Sequence, residues 1–321
     1  VSRKLSDIDF IDLYLRNGPA FFKGLTGQET SVAPATAEFQ SEIGEVQGLC
    51  EKTLQERGRR EFSFIRDGVL YRVAAFTNPH EGVTFVMRQK KREKRALGEI
   101  GLSASTQEAL LEPNFTGAVL VLGEMSAGKT TTIAASIEAR LEAFGGLALV
   151  LEDPIETWLT GPIGKGLALQ LEVDDYSDEL MRGMRSNANM FMISEIRDGK
   201  TGAEFLQAGS NGHLIFSSAH AQSIPHGLTR IRSLIGGSAA NVNAIMSQSL
   251  SLIIYQQLIR TPKASGSGEN RRLVSDVLRI SGAANEAAIR AKINEGKFEA
   301  LADDITGQKN VKRWNTSGVN P

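Results

Sequence analysis

The chain has 321 residues, enough for two domains that each bury a core of their own. Its 36 Lys and Arg are matched by 37 Asp and Glu, and a net charge of −1 supplies no global field for a polyanion, so stable nucleic-acid binding is not expected. The single cysteine, Cys50, excludes an intramolecular disulfide framework and a multi-thiolate zinc site, and it reads as a small core residue on a helix. No apolar run approaches the roughly 20 residues that cross a bilayer and no signal-peptide core follows Val1, so a soluble, cytoplasmic chain is expected.

In chain order, residues 1–37 combine an alternating apolar piece, Phe10 to Leu15, with a Gly/Pro-containing loop through Pro34. Helical spacing of apolar residues follows from Glu38 to Arg57. Two β-like runs, Val69 to Phe76 and Gly82 to Met87, turn at Asn78-Pro79, which makes residues 1–88 an α+β domain. Residues 89–116 read as a linker that opens with the cationic run Gln89 to Arg95, a solvated junction.

From Gly117 the order is strand, glycine-rich loop, helix, strand (Leu147–Leu151), strand (Met190–Ser194), helix and strand (His213–Ala219). That alternation predicts an α/β domain over 117–305 with a mainly parallel sheet, whose ligands gather beyond the carboxyl ends of the strands. Helices are expected near Ser223–Leu234 and Ala239–Gln257, then a Gly/Ser loop at Ala264–Gly268, a strand at Leu273–Leu278, a helix near Asn285–Glu295 and a flexible tail over 306–321.

The loop is the most specific signal. Gly123, Glu124, Met125, Ser126, Ala127, Gly128, Lys129 and Thr130 follow the pattern G-x-x-x-x-G-K-[ST], between the strand Ala118–Leu122 and a helix from Thr131. Such a loop turns backbone N–H groups and a helix N-terminus toward one point, where phosphate oxygens are favoured. Lys129 is placed to reach the β- and γ-phosphates and the Thr130 hydroxyl to coordinate Mg²⁺, so the chain is expected to bind ATP or GTP.

Hydrolysis further requires a held metal, an oriented water and stabilised charge. Met190–Ile193 ends in Ser194-Glu195, which makes Glu195 the metal-side carboxylate. Leu151 to Glu156 gathers Glu152, Asp153 and Glu156 after the next strand; one of them, with Glu156 preferred, is the candidate general base. Gly212 to His220 sets His213 and His220 at the two ends of a strand, with His220 placed to sense the γ-phosphate.

Together these segments resemble the secretion ATPase superfamily, the RecA-like hexameric motors of type IV pili and of type II and type IV secretion. Four motifs match in order: the Walker A loop Gly123–Thr130, the aspartate box Leu151–Glu156, the Walker B segment Ser194–Asp198 and the histidine box Gly212–His220. Tyr71–Phe76 and Phe85–Arg88 are similar to strands of the family's N-terminal domain, Ser247–Leu258 to a later helix, and Ala288-Ile-Arg290 to a C-terminal pilus-motor element.

The resemblance implies a RecA-like P-loop core with a smaller α+β N-terminal domain before it and C-terminal helices after it, and it implies ATP and Mg²⁺. Glu156 would be the catalytic glutamate, Glu195 the Walker B glutamate, and His213 and His220 the box histidines. Arg72, Arg88 and Arg230 would serve the nucleotide of a neighbouring subunit. A homo-hexamer is implied, working on an inner-membrane platform protein of a retraction-type pilus or a type IV secretion or conjugation machine. The chain departs from the pattern at Ser126 and Ser194, where relatives carry Gly, and at Arg185–Met190, where they carry an acidic stretch; with Cys50 alone it has no four-cysteine zinc element. The alternatives are a nucleotide-regulated scaffold with little turnover and a nucleic-acid translocase.

Overall fold

A computed structural model describes residues 3–26, 28–90, 94–237, 239–262 and 269–316; the expected Gly/Ser loop at 264–268 and the centre of the cationic run, 91–93, lie outside them. The chain divides into two compact units. The first is Val1–Lys94 with Glu152–Trp158 and Glu172–Asp174, and the second is Arg95–Leu151, Leu159–Leu171 and Asp175–Pro321.

The first unit is an antiparallel sheet with one long helix. Its strands are β1 (Asp12–Leu15), β2 (Phe21–Leu25), β3 (Gln28–Pro34), β4 (Glu61–Arg66), β5 (Val69–Asn78) and β6 (Gly82–Lys90), in the order β3-β2-β1-β6-β5-β4. The helix α1 (Gln40–Arg57) turns Ile43, Val46 and Cys50 into one core with Leu13, Phe22, Phe62, Tyr71, Val73, Phe85 and Met87. It stops at Gly58, whose left-handed φ of 66° lets its N–H bond the Leu54 carbonyl at 2.9 Å. Where a Gly/Pro loop was expected before Pro34, the chain forms the β2–β3 hairpin. Phe22, packed 5.1 Å from Phe10 and 5.5 Å from Phe39 between ring centroids, supplies the burial that outweighs the turn residues around it.

The second unit holds β7 (Gly117–Gly123), β8 (Gly146–Glu152), β9 (Gly161–Ile163), β10 (Gly166–Glu172), β11 (Met190–Ile193), β12 (Leu214–His220), β13 (Leu250–Pro262) and β14 (Glu269–Arg279). Their order is β14-β13-β7-β12-β11-β8-β10-β9, with β13, β7, β12, β11 and β8 mutually parallel. The helices are α2 (Ala104–Leu110), α3 (Lys129–Phe144), α4 (Tyr176–Met184), α5 (Gly199–Ser210), α6 (Ile224–Ile235), α7 (Ala239–Ser249), α8 (Glu286–Asn294) and α9 (Leu301–Thr316). Every residue of β7 is buried, as an interior parallel strand with helices on both faces demands. Small residues let those helices approach: a Cβ on Gly209 of α5 would lie 2.8 Å from Ala118, and one on Gly227 of α6 would lie 2.4 Å from Leu122.

The expected helix over Ala239–Gln257 is half strand. It ends at Ser249, and Leu250 begins β13, which runs parallel to β7. Leu250, Leu252, Ile253 and Ile254 are all buried, so the run is apolar on both faces and has neither a helical nor an alternating period to read. The short strand expected at Leu273–Leu278 belongs to the longer β14, antiparallel to β13. Residues from 306, expected as tail, continue α9, which Asp303 and Asp304 start with favourable charge and Leu301 and Ile305 anchor by burial.

Candidate functional site

In the second unit, β7 delivers the chain into the loop at the carboxyl edge of the sheet. Gly123 has φ +156°, Ser126 φ +60° and Gly128 φ +82°, and α3 starts at Lys129. Glu124, Met125 and Ser126 form the exposed crest, Ala127 is buried, and Thr130 and Thr131 continue along the first turn of α3. Ser126 occupies a left-handed conformation, which is the backbone reason that glycine suits this position.

Lys129 is 8% exposed and its Nζ donates to the carbonyls of Gly123 at 3.0 Å and Glu124 at 2.8 Å. It also donates to His220 Nδ1 at 3.3 Å, while His220 Nε2 donates to Glu195 Oε1 at 3.0 Å. Arg197 Nε reaches the second Glu195 oxygen at 3.0 Å. Burial pushes the Lys129 ammonium below its ordinary pKa and the Glu195 carboxylate works against that shift. Four groups from three strand ends thus form one chain of charge-assisted contacts beside the loop.

Local structure explains why the strand ends hold still. Ser218 Oγ donates to the Ser194 carbonyl at 2.7 Å, and the Ile196 N–H returns to the Ser218 carbonyl at 2.8 Å. Asp198, the last residue of the Walker B segment, caps α5 by accepting from the Thr201 N–H at 2.9 Å and its hydroxyl at 2.9 Å. The divergent stretch Arg185–Met190 carries structural duty: Asn187 takes φ +59°, and Asn189 Oδ1 accepts from the first free amide of β8, Leu147 N, at 2.8 Å. His213 does not join the site. It precedes β12, seven residues and about 23 Å of strand from His220, and packs edge-on against Phe191 with ring centroids 5.6 Å apart.

The first unit brings other sequence candidates together. Register aligns Lys23, Asp12, Arg88, Arg72 and Ser63 in one row across five strands. Arg88 forms a two-pronged pair with the buried Asp12, at 2.8 and 3.1 Å, and Asp12 raises its pKa further. Arg72 pairs with Glu156 and, at 3.0 Å, with Glu61; Lys90 stands 3.8 Å from the other Glu156 oxygen.

The remaining acids of the aspartate box have structural partners there. Asp153 pairs with Arg59, which also holds Asp174 at 2.9 Å, and the fully buried Glu152 accepts from the Thr157 hydroxyl at 2.9 Å. Arg230 is exposed on α6 in the second unit. Sequence reasoning missed Asp12 and Gln256. Asp12 sits in a plain alternating strand with no motif, and Gln256 lay inside the segment taken for a helix.

Glu195 and the Thr130 hydroxyl are hard oxygen donors of the kind Mg²⁺ takes when phosphates supply most of its other ligands. The buried, carbonyl-bound ammonium of Lys129 beside them has the charge and reach for a phosphate group.

Known proteins similar to this chain fall in one family. Residues 41–308 match the family model described as "Type II/IV secretion system protein". The "Twitching motility protein" of Neisseria gonorrhoeae is 29% identical over 264 residues, 80% of this chain and 67% of that protein. The "Type IV pilus retractation ATPase PilT" of Pseudomonas aeruginosa is 30% identical over 215 residues, 65% of this chain and 61% of that one. For the "Putative type II secretion system protein E" of Escherichia coli the figures are 30% over 216 residues, 66% and only 42%. The chain therefore spans between 42% and 67% of the length of these relatives. Two solved structures share the fold. The pilus retraction motor PilT with bound ADP has TM-score 0.73 at 22% identity, covering 94% of this chain and 89% of that one. The Legionella pneumophila ATPase DotB has TM-score 0.71 at 18% identity, covering 91% and 83%. The α/β architecture is thus the RecA-like one expected, and with the family match running through both units and all four motifs, the chain belongs to the type II/IV secretion system protein family.

Proposed function

We propose that this chain is a Mg-dependent ATPase that turns hydrolysis into domain movement as a homo-hexamer, powering a retraction-type pilus or a type IV secretion or conjugation machine from the cytoplasmic side of an inner membrane. The observation that carries the reading is the Lys129–His220–Glu195 chain of contacts beside the P-loop. A relative named as a type IV pilus retraction ATPase and another named as a putative type II secretion system protein support the same class. No helix among the described residues is long and apolar enough to span a membrane, which suits attachment through a platform protein.

In this reading the phosphates of ATP replace the Gly123 and Glu124 carbonyls as partners of Lys129, while the loop amides bind the remaining oxygens. Thr130 and Glu195 would hold Mg²⁺, which supplies charge neutralisation on the phosphates. His220, donating to Glu195 and accepting from Lys129, couples the phosphate end to the carboxylate, so a change at one is felt at the other. Glu156 acts as general base toward the attacking water, and Arg72, Arg88 and Arg230 address the nucleotide of an adjacent subunit, where a guanidinium stabilises developing charge.

Phosphate release by the purified protein, with and without Mg²⁺, tests the enzyme. Turnover that disappears in Lys129→Ala and in Glu156→Gln supports it. The scaffold reading has one observation in its favour, the engagement of Glu156 by Arg72 and Lys90; equal, near-zero rates in wild type and both variants would select it. Light scattering with and without nucleotide tests the ring, and a persistent monomer rejects it. Mixing Arg72→Ala with Glu156→Gln tests the action between subunits: recovered turnover supports it, and inactivity at every ratio opposes it.

A further inference from the structure

We propose that Gln256 is a positioning residue for the phosphate loop, a strut from β13 that holds the loop open in its anion-binding shape. The inference rests on the nucleotide-binding reading above and assigns that site a residue outside all four motifs.

Gln256 is fully buried, at 0% exposure, and its carboxamide is used at both ends. Nε2 donates to the Ala127 carbonyl at 2.7 Å, inside the loop and 129 residues away along the chain. Oε1 accepts from the Thr132 hydroxyl at 2.9 Å, on the first turn of α3. The strand backbone makes a third touch, because a Cβ on Gly123 would lie 2.4 Å from the Gln256 carbonyl; the side chain makes a fourth, because a Cβ on Gly128 would lie 3.4 Å from Nε2. One residue therefore abuts both glycines that bound the loop, bonds Ala127, one of the four residues between them, and bonds the helix that the loop opens.

The chemistry of these bonds fits a support better than a ligand contact. A loop that receives anions on its N–H groups must point its carbonyls elsewhere, and a carbonyl turned into the interior needs a donor. Gln256 Nε2 is that donor for Ala127. The other carbonyls whose partners bear on the site, Gly123 and Glu124, are held by Lys129. When Lys129 turns to phosphate those two keep only their longer backbone contacts, from the Ala221 N–H at 3.4 Å and the Ala127 N–H at 3.3 Å, and the 2.7 Å bond from Gln256 to Ala127 remains to hold the loop. Serving as donor and acceptor at once suits an amide: methionine offers neither function, and a glutamate offers both only while it is protonated.

The strut also gives β13 and its antiparallel partner β14 a mechanical route to the nucleotide. The two strands pair from Leu252–Arg279 out to Pro262–Glu269, so displacement of that hairpin moves Gln256 and with it the Ala127 carbonyl.

Binding of a fluorescent ADP analogue and steady-state turnover, measured on the 321-residue wild type, Gln256→Met and Gln256→Glu, test the proposal. Gln256→Met is expected to weaken nucleotide affinity about tenfold, as loss of a buried hydrogen-bonded support does, with the thermal transition of the protein still cooperative. Gln256→Glu is expected to depend on pH. Burial raises the pKa of the new carboxyl, and its neutral form reproduces the amide, with O–H to Ala127 and C=O toward Thr132. Affinity should be near wild type at roughly pH 6 and fall as pH rises through that raised value, whereas wild type follows no such course. Should Gln256→Met fail to fold, the pH series of Gln256→Glu decides alone. Folded variants with wild-type affinity, or a Gln256→Glu profile that tracks wild type at every pH, would overturn the strut. Wild type that fails to bind the analogue would overturn the nucleotide reading itself.

Discussion

The two units treat their key cations in opposite ways. In the second, Lys129 is buried and held by two carbonyl oxygens and His220 Nδ1, partners that it can exchange for phosphate without separating a pair with a carboxylate. In the first, Arg72 and Arg88 are tied to carboxylates, and Arg88 keeps half its side chain in solvent while its partner Asp12 is buried. A cation among carbonyls is prepared to bind; a cation in a charge pair must first be let go. The function proposed above would use both states, a pocket that fills readily and arginines that act only when their surroundings change.

The strongest way to sharpen that contrast is to remove the carboxylate that Arg72 holds. If Glu156 has the general-base role proposed for it, Glu156→Gln is expected to lower turnover by about 10²–10⁴ while nucleotide affinity stays near wild type, so single-turnover rates and equilibrium binding must separate. Lys129→Ala comes next: losing one charge-assisted contact should weaken nucleotide binding about 100-fold, read by fluorescence titration, and an unchanged affinity would end the contrast between the two cations. Asp12→Ala should destabilise the first unit by about 1–2 kcal/mol, kept modest because Arg88 is half exposed, as urea unfolding would record.

The smallest effect is expected at the loop crest. Ser126→Gly relieves a left-handed residue worth roughly 1 kcal/mol but adds unfolded-chain entropy of similar size, so stability should change by less than about 1 kcal/mol. A larger loss would reveal a role for the hydroxyl beyond backbone shape.

What could be read from the residues alone follows the distance over which each feature is built. The P-loop is one continuous segment, so strand, loop and helix announced it in order, and Glu195 and His220 stood out as polar residues closing apolar strands. The pairings were hidden. Arg88 with Asp12 and Arg72 with Glu156 join residues 76 and 84 positions apart, and only strand register and folding bring them together. Residues 250–257 misled for another reason: an interior strand coated with apolar residues on both faces carries no period, and a preceding amphipathic helix seemed to continue through it. The β2–β3 hairpin was lost beneath glycine and proline, which mark turns more loudly than Phe21 and Phe22 mark strands.

The helix-to-strand switch at Ser249 and Leu250 is held from outside by Arg290 of α8. Its guanidinium bonds the Ser247 carbonyl, those of Gln248 and Leu250 at 3.3 and 3.4 Å, and Glu286 at 2.8 Å. Because the same strand reaches Gln256 six residues later, a deletion series trimmed from the C-terminus would injure the nucleotide pocket on crossing α8, with every pocket residue still in the chain. Anyone mapping a minimal catalytic fragment would then mistake a clamp for a catalyst.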